Sequence, residues 1–231
     1  MTVGVALVAA GRGRRFGAGG PPKQFRLLKG KPLFHWSLRA LEDTPGVAAI
    51  ALVVPADHRR RVERYVRNAG FRKVAAVVPG GGERAESVRA GLRALPGRCD
   101  IVLVHDAARA LVDRGVVERV IRAARRTGAA LAAWPVPDTV KEGAARGRRT
   151  LVRRTVPRAG LWLAQTPQGF RREEARKFFH AGGVFTDDVQ VLERAGRPVE
   201  IVLGSARNFK VTRAEDFELC RKILGPARSL R

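Results

Sequence analysis

The chain has 231 residues, of which 45% are hydrophobic and 29% charged, so it can bury a full core and is not a disordered polymer. Its formal net charge of +24 raises nucleic-acid binding. However, the arginines are spread along the chain (Arg59-Arg60-Arg61, Arg125-Arg126, Arg171-Arg172) with no basic tail, zinc-finger spacing or aromatic RNA-binding signature, which argues against specific nucleic-acid recognition. No apolar run reaches the length of a membrane span and no signal-peptide pattern is present, so a cytoplasmic protein without membrane attachment is expected. Cys99 and Cys220 share no motif with His and read as structural thiols.

In chain order, Val3 to Ala9 is an apolar run that reads as a buried parallel strand. The spacing predicts a helix over Leu33 to Leu41 after Pro32, a strand at Ile50 to Val54, and an arginine-rich helix over Asp57 to Ala69 closed by Gly70. A strand at Val74 to Val78 follows, then a helix running from Ser87, which is expected to cap it. A strand at Ile101 to Val104, an amphipathic helix at Val116 to Arg126 closed by Gly128, and a fifth, central strand at Ala129 to Val136 come next. This rhythm predicts an α/β, Rossmann-like domain, a mostly parallel sheet with helices on both faces. It breaks at residues 137–157, which read as a protruding β-hairpin arm with its turn at Gly143 to Gly147. An isolated hairpin is marginal by itself, so a second copy of the chain is its expected support. A helix at Arg171 to Ala181, another ending at Ala195, a strand at Val199 to Leu203 and a helix over Arg213 to Leu224 complete one domain spanning residues 1–231.

Ligands of open α/β sheets gather beyond the carboxyl ends of the strands. Loops 10–24, 79–87 and 105–109 all leave such ends. The first carries Ala9, Ala10, Gly11 and Gly13, then Arg14, Arg15 and Lys23: small residues for close backbone approach and cations for phosphate oxygens. The second has Gly80-Gly81-Gly82 with Arg84 and Ser87, a place for a base or ribose to lie against backbone. In the third, Asp106 suits Mg2+, a substrate hydroxyl or a turn cap, and Arg109 adds a bidentate phosphate donor. The glycines match neither a dinucleotide fingerprint nor a P-loop, and no nucleophile elbow or metal-spaced histidines occur. Cations without a covalent nucleophile suit transfer at phosphorus.

The chain resembles the 2-C-methyl-D-erythritol 4-phosphate cytidylyltransferase family of the non-mevalonate isoprenoid pathway. The resemblance rests on Ala9-Ala-Gly-x-Gly-x-Arg15, Pro22-Lys-Gln24, Gly81-x-x-Arg84-x-x-Ser87-Val88, Val104-His-Asp-Ala-Ala-Arg109, Pro137-Asp-Thr139, Thr155-Val-x-Arg158, Thr166-Pro-Gln168, Thr186-Asp187 and Lys210-Val-Thr212. It implies a nucleotide-diphospho-sugar transferase-like fold and transfer of CMP from CTP to methylerythritol 4-phosphate, with Mg2+ on the triphosphate. Arg15 and Lys23 would act at the α-phosphate, and Arg158 and Lys210 on the acceptor phosphate. Asp106, Arg109, Thr139 and Thr186 would complete the acceptor pocket. Ala9 to Gly13 and Arg14 would hold ribose and phosphates, with Gly81, Gly82, Arg84 and Ser87 at the cytosine end. The resemblance also implies a homodimer whose arm carries Thr139 and Arg158 to the other subunit's site. Ala110 stands where the family's pattern has proline, and Asp188 where it has Glu. A ribitol 5-phosphate cytidylyltransferase is the nearest rival reading, and a nucleic-acid-binding protein on the same scaffold a remote one.

Overall fold

The computed structural model describes residues 1–11, 16, 20–177 and 185–225. The chain opens with β1 (Thr2–Val8), and a two-stranded turn of β2 (Leu27–Leu28) and β3 (Lys31–Pro32) leads into α1 (Leu33–Glu42). Then β4 (Val47–Val54), α2 (Arg59–Asn68), β5 (Val74–Pro79), α3 (Arg84–Ala94), β6 (Cys99–Asp106), α4 (Arg114–Thr127) and β7 (Ala129–Pro135) alternate. The hairpin strands β8 (Val140–Arg146) and β9 (Arg149–Val156) precede β10 (Trp162–Arg171), α5 (Arg172–Ala175), α6 (Gln190–Arg194), β11 (Glu200–Leu203) and α7 (Ala214–Ile223).

Among the described residues the main sheet has seven strands in the order β11-β7-β10-β6-β1-β4-β5. β1 pairs in parallel with β4 and β6, β4 with β5, and β7 with β11, while β10 runs antiparallel to both β6 and β7. The sheet is therefore mostly parallel, and successive β1 residues feed opposite faces. Val3, Val5 and Leu7 join Phe34 and Leu38 of α1, Val62 and Val66 of α2 and Val116 and Val120 of α4 in one core. Ala6 faces the other core, with Val88 and Leu92 of α3 and Leu192 of α6. That second layer packs closely: a Cβ on Gly91 of α3 would stand 2.8 Å from Ala6 Cβ.

Several expectations are corrected. The strand at 129–135 is not central but second from an edge, because β10 inserts between it and β6. β10 carries no strand pattern in the sequence; its pairing register breaks between Ala164 and Gln168, around a proline that cannot donate to the ladder. The helix expected from Arg171 begins at Arg172 and spans four residues, since β10 extends through Arg171; residues 178–184 lie outside the described part. The hairpin turn is confined to Gly147 and Arg148, with Gly147 at φ 58°, and Gly143 lies within β8. Nor does Ser87 cap α3. Glu83 is its N-cap, in a reciprocal capping box with Glu86, and Ser87 sits one turn inside.

Candidate active site

β6, β1, β4 and β5 are successive strands of the sheet, and a cleft of about 270 Å³ opens beyond the carboxyl ends of β1, β5 and β6. Ala9, Ala10, Gly11, Lys23, Gly81, Gly82, Arg84, Ser87, Asp106 and Lys210 line it. Gly13, Arg14 and Arg15 fall outside the described residues. Arg109, Thr139, Arg158 and Thr186 do not line the cleft.

The first wall is fixed by Gln24, which is 3% exposed and whose Nε2 donates to the carbonyls of Ala9 (2.8 Å) and Gly11 (2.9 Å). Beside it, Lys23 Nζ donates to the Val211 carbonyl at 2.6 Å, joining this wall to the 208–212 segment. The second wall presses on the first. A Cβ on Gly80 would stand 2.3 Å from Ala10 Cβ and 2.6 Å from Ser87 Oγ, so only glycine fits there. Ser87 Oγ accepts from the Gly81 N–H (3.2 Å) and donates to the Glu83 carbonyl (3.3 Å), which holds the glycine turn onto α3.

Asp106, at the end of β6, is 7% exposed and held by cations. Its Oδ1 accepts from Arg84 Nε (3.2 Å) and NH2 (3.1 Å), and its Oδ2 from Lys210 Nζ (2.6 Å). Burial opposes its charge, yet Arg84 and Lys210 hold its carboxyl well below the usual carboxylate range. Arg84 in turn forks onto both oxygens of Asp188, at 2.6 and 2.7 Å. Burial works against the Arg84 charge, but Asp106 and Asp188 together raise its pKa above the ordinary value.

Behind Asp106 lies a buried polar scaffold. The Asp106 N–H donates to Thr166 Oγ1 (3.0 Å), which contacts His105 Nδ1 at 3.1 Å, while His105 Nε2 faces the Arg109 carbonyl at 3.4 Å. This pattern suits a neutral imidazole with its proton on Nε2, and burial lowers the His105 pKa to about 4. His105 is fully buried and so cannot serve as a base toward the cleft. Arg109 is a brace within this subunit: NH1 donates to the Asn208 carbonyl (2.7 Å) and NH2 to the Ala164 carbonyl (3.1 Å). Thr139 and Arg158 are exposed at the foot of the arm, where Arg158 donates to the Pro137 carbonyl. Thr186 is exposed, its N–H donating to Gln190 Oε1 at 3.2 Å.

Asp106 does not fit the metal-ligand role considered for it. Both its oxygens are taken by cations, and among the described residues no group of three or more His, Cys, Asp or Glu side chains is arranged to hold a metal ion. A resident Mg2+ site is therefore not built from these residues. Gln24, Glu83, Asp188, Asn208 and Thr212 carry no role predicted from the sequence. Glu83 is not a residue of the usual capping-box signature, and Thr212 meets Asp216 only four residues on, whereas Gln24, Asp188 and Asn208 depend on partners farther along the chain.

The cleft brings Lys23, Arg84 and Lys210 together over backbone turns; the Thr212 hydroxyl on its rim donates to Asp216 Oδ2, which also accepts from the Thr212 and Arg213 N–H groups and so caps α7. Such a site works by holding phosphates and stabilising charge that develops on them. The profile of the 2-C-methyl-D-erythritol 4-phosphate cytidylyltransferase family matches residues 3–226. The enzyme of that name from Pelotomaculum thermopropionicum is 42% identical, with 96% of this chain and 94% of that protein aligned. A bifunctional enzyme IspD/IspF of Desulforudis audaxviator is 44% identical over 95% of this chain but 56% of its own length, so the chain spans about half of such bifunctional relatives. The crystal structure of the 2-C-methyl-D-erythritol 4-phosphate cytidylyltransferase from Thermus thermophilus, 35% identical, superposes with a TM-score of 0.74 over 96% of this chain and 98% of that one. With the fold, the cleft and nearly the full length of the sequence in agreement, the chain belongs to the 2-C-methyl-D-erythritol 4-phosphate cytidylyltransferase family.

Proposed function

We propose that the chain transfers CMP from CTP to 2-C-methyl-D-erythritol 4-phosphate. An oxygen of the acceptor phosphate attacks the α-phosphorus, the bond to the β-phosphate oxygen breaks, and pyrophosphate leaves. The observation that carries this reading is the cationic cleft at the strand ends of a chain belonging to this family. In the reaction, the turns at 9–11 and 80–82 receive the nucleotide. Lys23 stabilises charge at the α-phosphate with Arg15, and Lys210 receives the acceptor phosphate. Mg2+ enters as the counter-ion of the CTP triphosphate, part of the nucleotide substrate, because Asp106 is committed to Arg84 and Lys210.

The working form in this reading is a homodimer in which the arm, residues 137–157, delivers Thr139 and Arg158 to the site of the second copy. The exposure of Leu151 and Val152 on β9, Trp162 and Leu163 on β10, and Ile201 and Leu203 on β11 supports it, since these apolar side chains are left to water in a single chain. A cytoplasmic location accords with Cys99 and Cys220 being buried free thiols. No helix among the described residues is long and apolar enough to cross a membrane.

Steady-state rates with CTP and each of two acceptors test the substrate. Methylerythritol 4-phosphate is expected to give the higher kcat/KM; a strong preference for ribitol 5-phosphate would replace the acceptor assigned here.

A further inference from the structure

We infer that Asp188 is a positioning residue for this reaction: through Arg84 and Asp106 it sets the location of Lys210 at the cleft. The inference rests on the cytidylyl-transfer reading and extends it to a residue that does not line the cleft.

Four charges alternate in a row drawn from two loops, the first turn of α3 and the end of β6. Asp188 is 3% exposed and takes NH1 and NH2 of Arg84, at 2.6 and 2.7 Å, on its two oxygens. A planar guanidinium gripped along one edge has its other donors fixed in direction. Those donors, Nε and NH2, both fall on Oδ1 of Asp106, at 3.2 and 3.1 Å. Oδ2 of Asp106 is thereby left to Lys210 Nζ at 2.6 Å. Without the Asp188 grip, the Arg84 fork can span both oxygens of Asp106 and displace the Lys210 ammonium.

The anchor of this row is itself immobilised. The Asp188 and Val189 N–H groups donate to Gln168 Oε1 at 2.9 and 3.0 Å, and Gln168 is 1% exposed within β10. Gln168 Nε2 reaches back to the Gln165 carbonyl at 3.3 Å and to Asp187 Oδ2 at 3.4 Å. The position of Asp188 is therefore set by the central sheet, and the row transfers that position to Lys210, on a segment that otherwise joins the sheet region through the Val211 N–H to the Ala108 carbonyl (2.9 Å) and through Asn208.

A mutant cycle between Asp188→Asn and Lys210→Ala tests this, with KM for the acceptor phosphate and for CTP measured in each variant and folding followed by urea unfolding. Asp188→Asn is expected to raise the acceptor KM about tenfold, the scale of one charge-assisted hydrogen bond, and to change the CTP KM by less than that, since Arg84 at the cytosine end keeps its bonds to Asp106. In the Lys210→Ala background the same substitution is expected to add nothing, because the two act as a unit. Additive effects, or an unchanged acceptor KM in a folded Asp188→Asn protein, overturn the inference; a purely structural Asp188 would lower stability without this selective, non-additive pattern. Should Asp188→Asn not fold, Asp188→Ser, which removes the charge and leaves room for water beside Arg84, is read in the same cycle with the same criteria. A wild-type protein with no CMP transfer contradicts the proposed function instead, and is distinguished by that control.

Discussion

Lys210 Nζ lies 2.6 Å from Asp106 Oδ2, although 104 residues separate them in the chain. The pair closes the cleft by joining the end of β6 to the 208–212 segment, and Arg84 shares the same carboxylate. Removing the charge with Asp106→Asn leaves Arg84 and Lys210 facing each other. The loss of stability is expected to be about 2–3 kcal/mol, below the range for a fully buried pair, because the two cationic side chains remain 31% and 35% exposed. Urea unfolding of the two proteins at pH 7 measures it, and an unchanged midpoint contradicts it.

Lys23→Ala should leave the fold in place and remove turnover. Its ammonium makes a hydrogen bond to the Val211 carbonyl whose loss costs about 1–2 kcal/mol. A donor aimed at charge developing on the α-phosphate accounts for about 10²–10³ in kcat. Turnover close to wild type would remove Lys23 from the reaction.

Gly80→Ala is a test of geometry with no change of charge. The added methyl would lie 2.3 Å from Ala10 Cβ and 2.6 Å from Ser87 Oγ, so the two nucleotide-side walls must separate. A shift on the order of 1 Å is expected to lower kcat/KM for CTP by about tenfold to a hundredfold. Kinetics indistinguishable from wild type would mean that these walls do not hold the nucleotide.

The arm makes a prediction about mixtures. Arg158→Ala and Lys23→Ala homodimers should each be nearly inactive. Random exchange of subunits should restore about a quarter of wild-type activity, since half the dimers are mixed and each mixed dimer has one complete site. If Arg158 serves its own subunit, mixing restores nothing.

Acid should weaken the fold before it protonates the carboxylates. Burial, with Arg109 adding to it, lowers the His105 pKa from 6.5 to about 4, and burial with Arg39 and Lys31 does the same for His35. The unfolded chain therefore binds protons that the folded protein refuses as pH falls from 6.5 toward 4, and stability declines with falling pH across that window. For fully buried His105 the loss approaches roughly 3 kcal/mol. The Asp106 contribution has the opposite timing: its depressed pKa keeps it intact down to the carboxylate range, where it is lost as pH falls further. Urea midpoints at pH 7.5 and pH 5 check the first effect, which requires the lower midpoint at pH 5.

The parallel core is legible in the sequence because strands buried on both faces must be continuously apolar, as in Val3 to Ala9 and Ile50 to Val54. The loops that form the cleft are legible for the same reason, since they are the polar or glycine-rich stretches where those runs stop. β10 is not, because Gln165, Thr166 and Gln168 look like loop residues until Asn208, the Asp106 N–H and the Asp188 N–H are placed against them. The state of Asp106 is hidden likewise. As a lone carboxylate it suits a metal, a hydroxyl or a turn, and only the convergence of Arg84 and Lys210 decides among them. Ser87 reads as a cap in the sequence because the glycine run before it resembles a loop reaching the helix. The capping box at Glu83 and Glu86 starts α3 one turn earlier.

Phosphorus NMR of the purified protein with CTP, Mg2+ and methylerythritol 4-phosphate is the most direct measurement of the proposed transfer. The expected spectrum gains the paired resonances of a diphosphate diester and the signal of pyrophosphate, in equal amounts, as the acceptor monophosphate disappears. Conversion of CTP to CDP and orthophosphate with the acceptor unchanged, or no consumption of CTP, would contradict cytidylyl transfer.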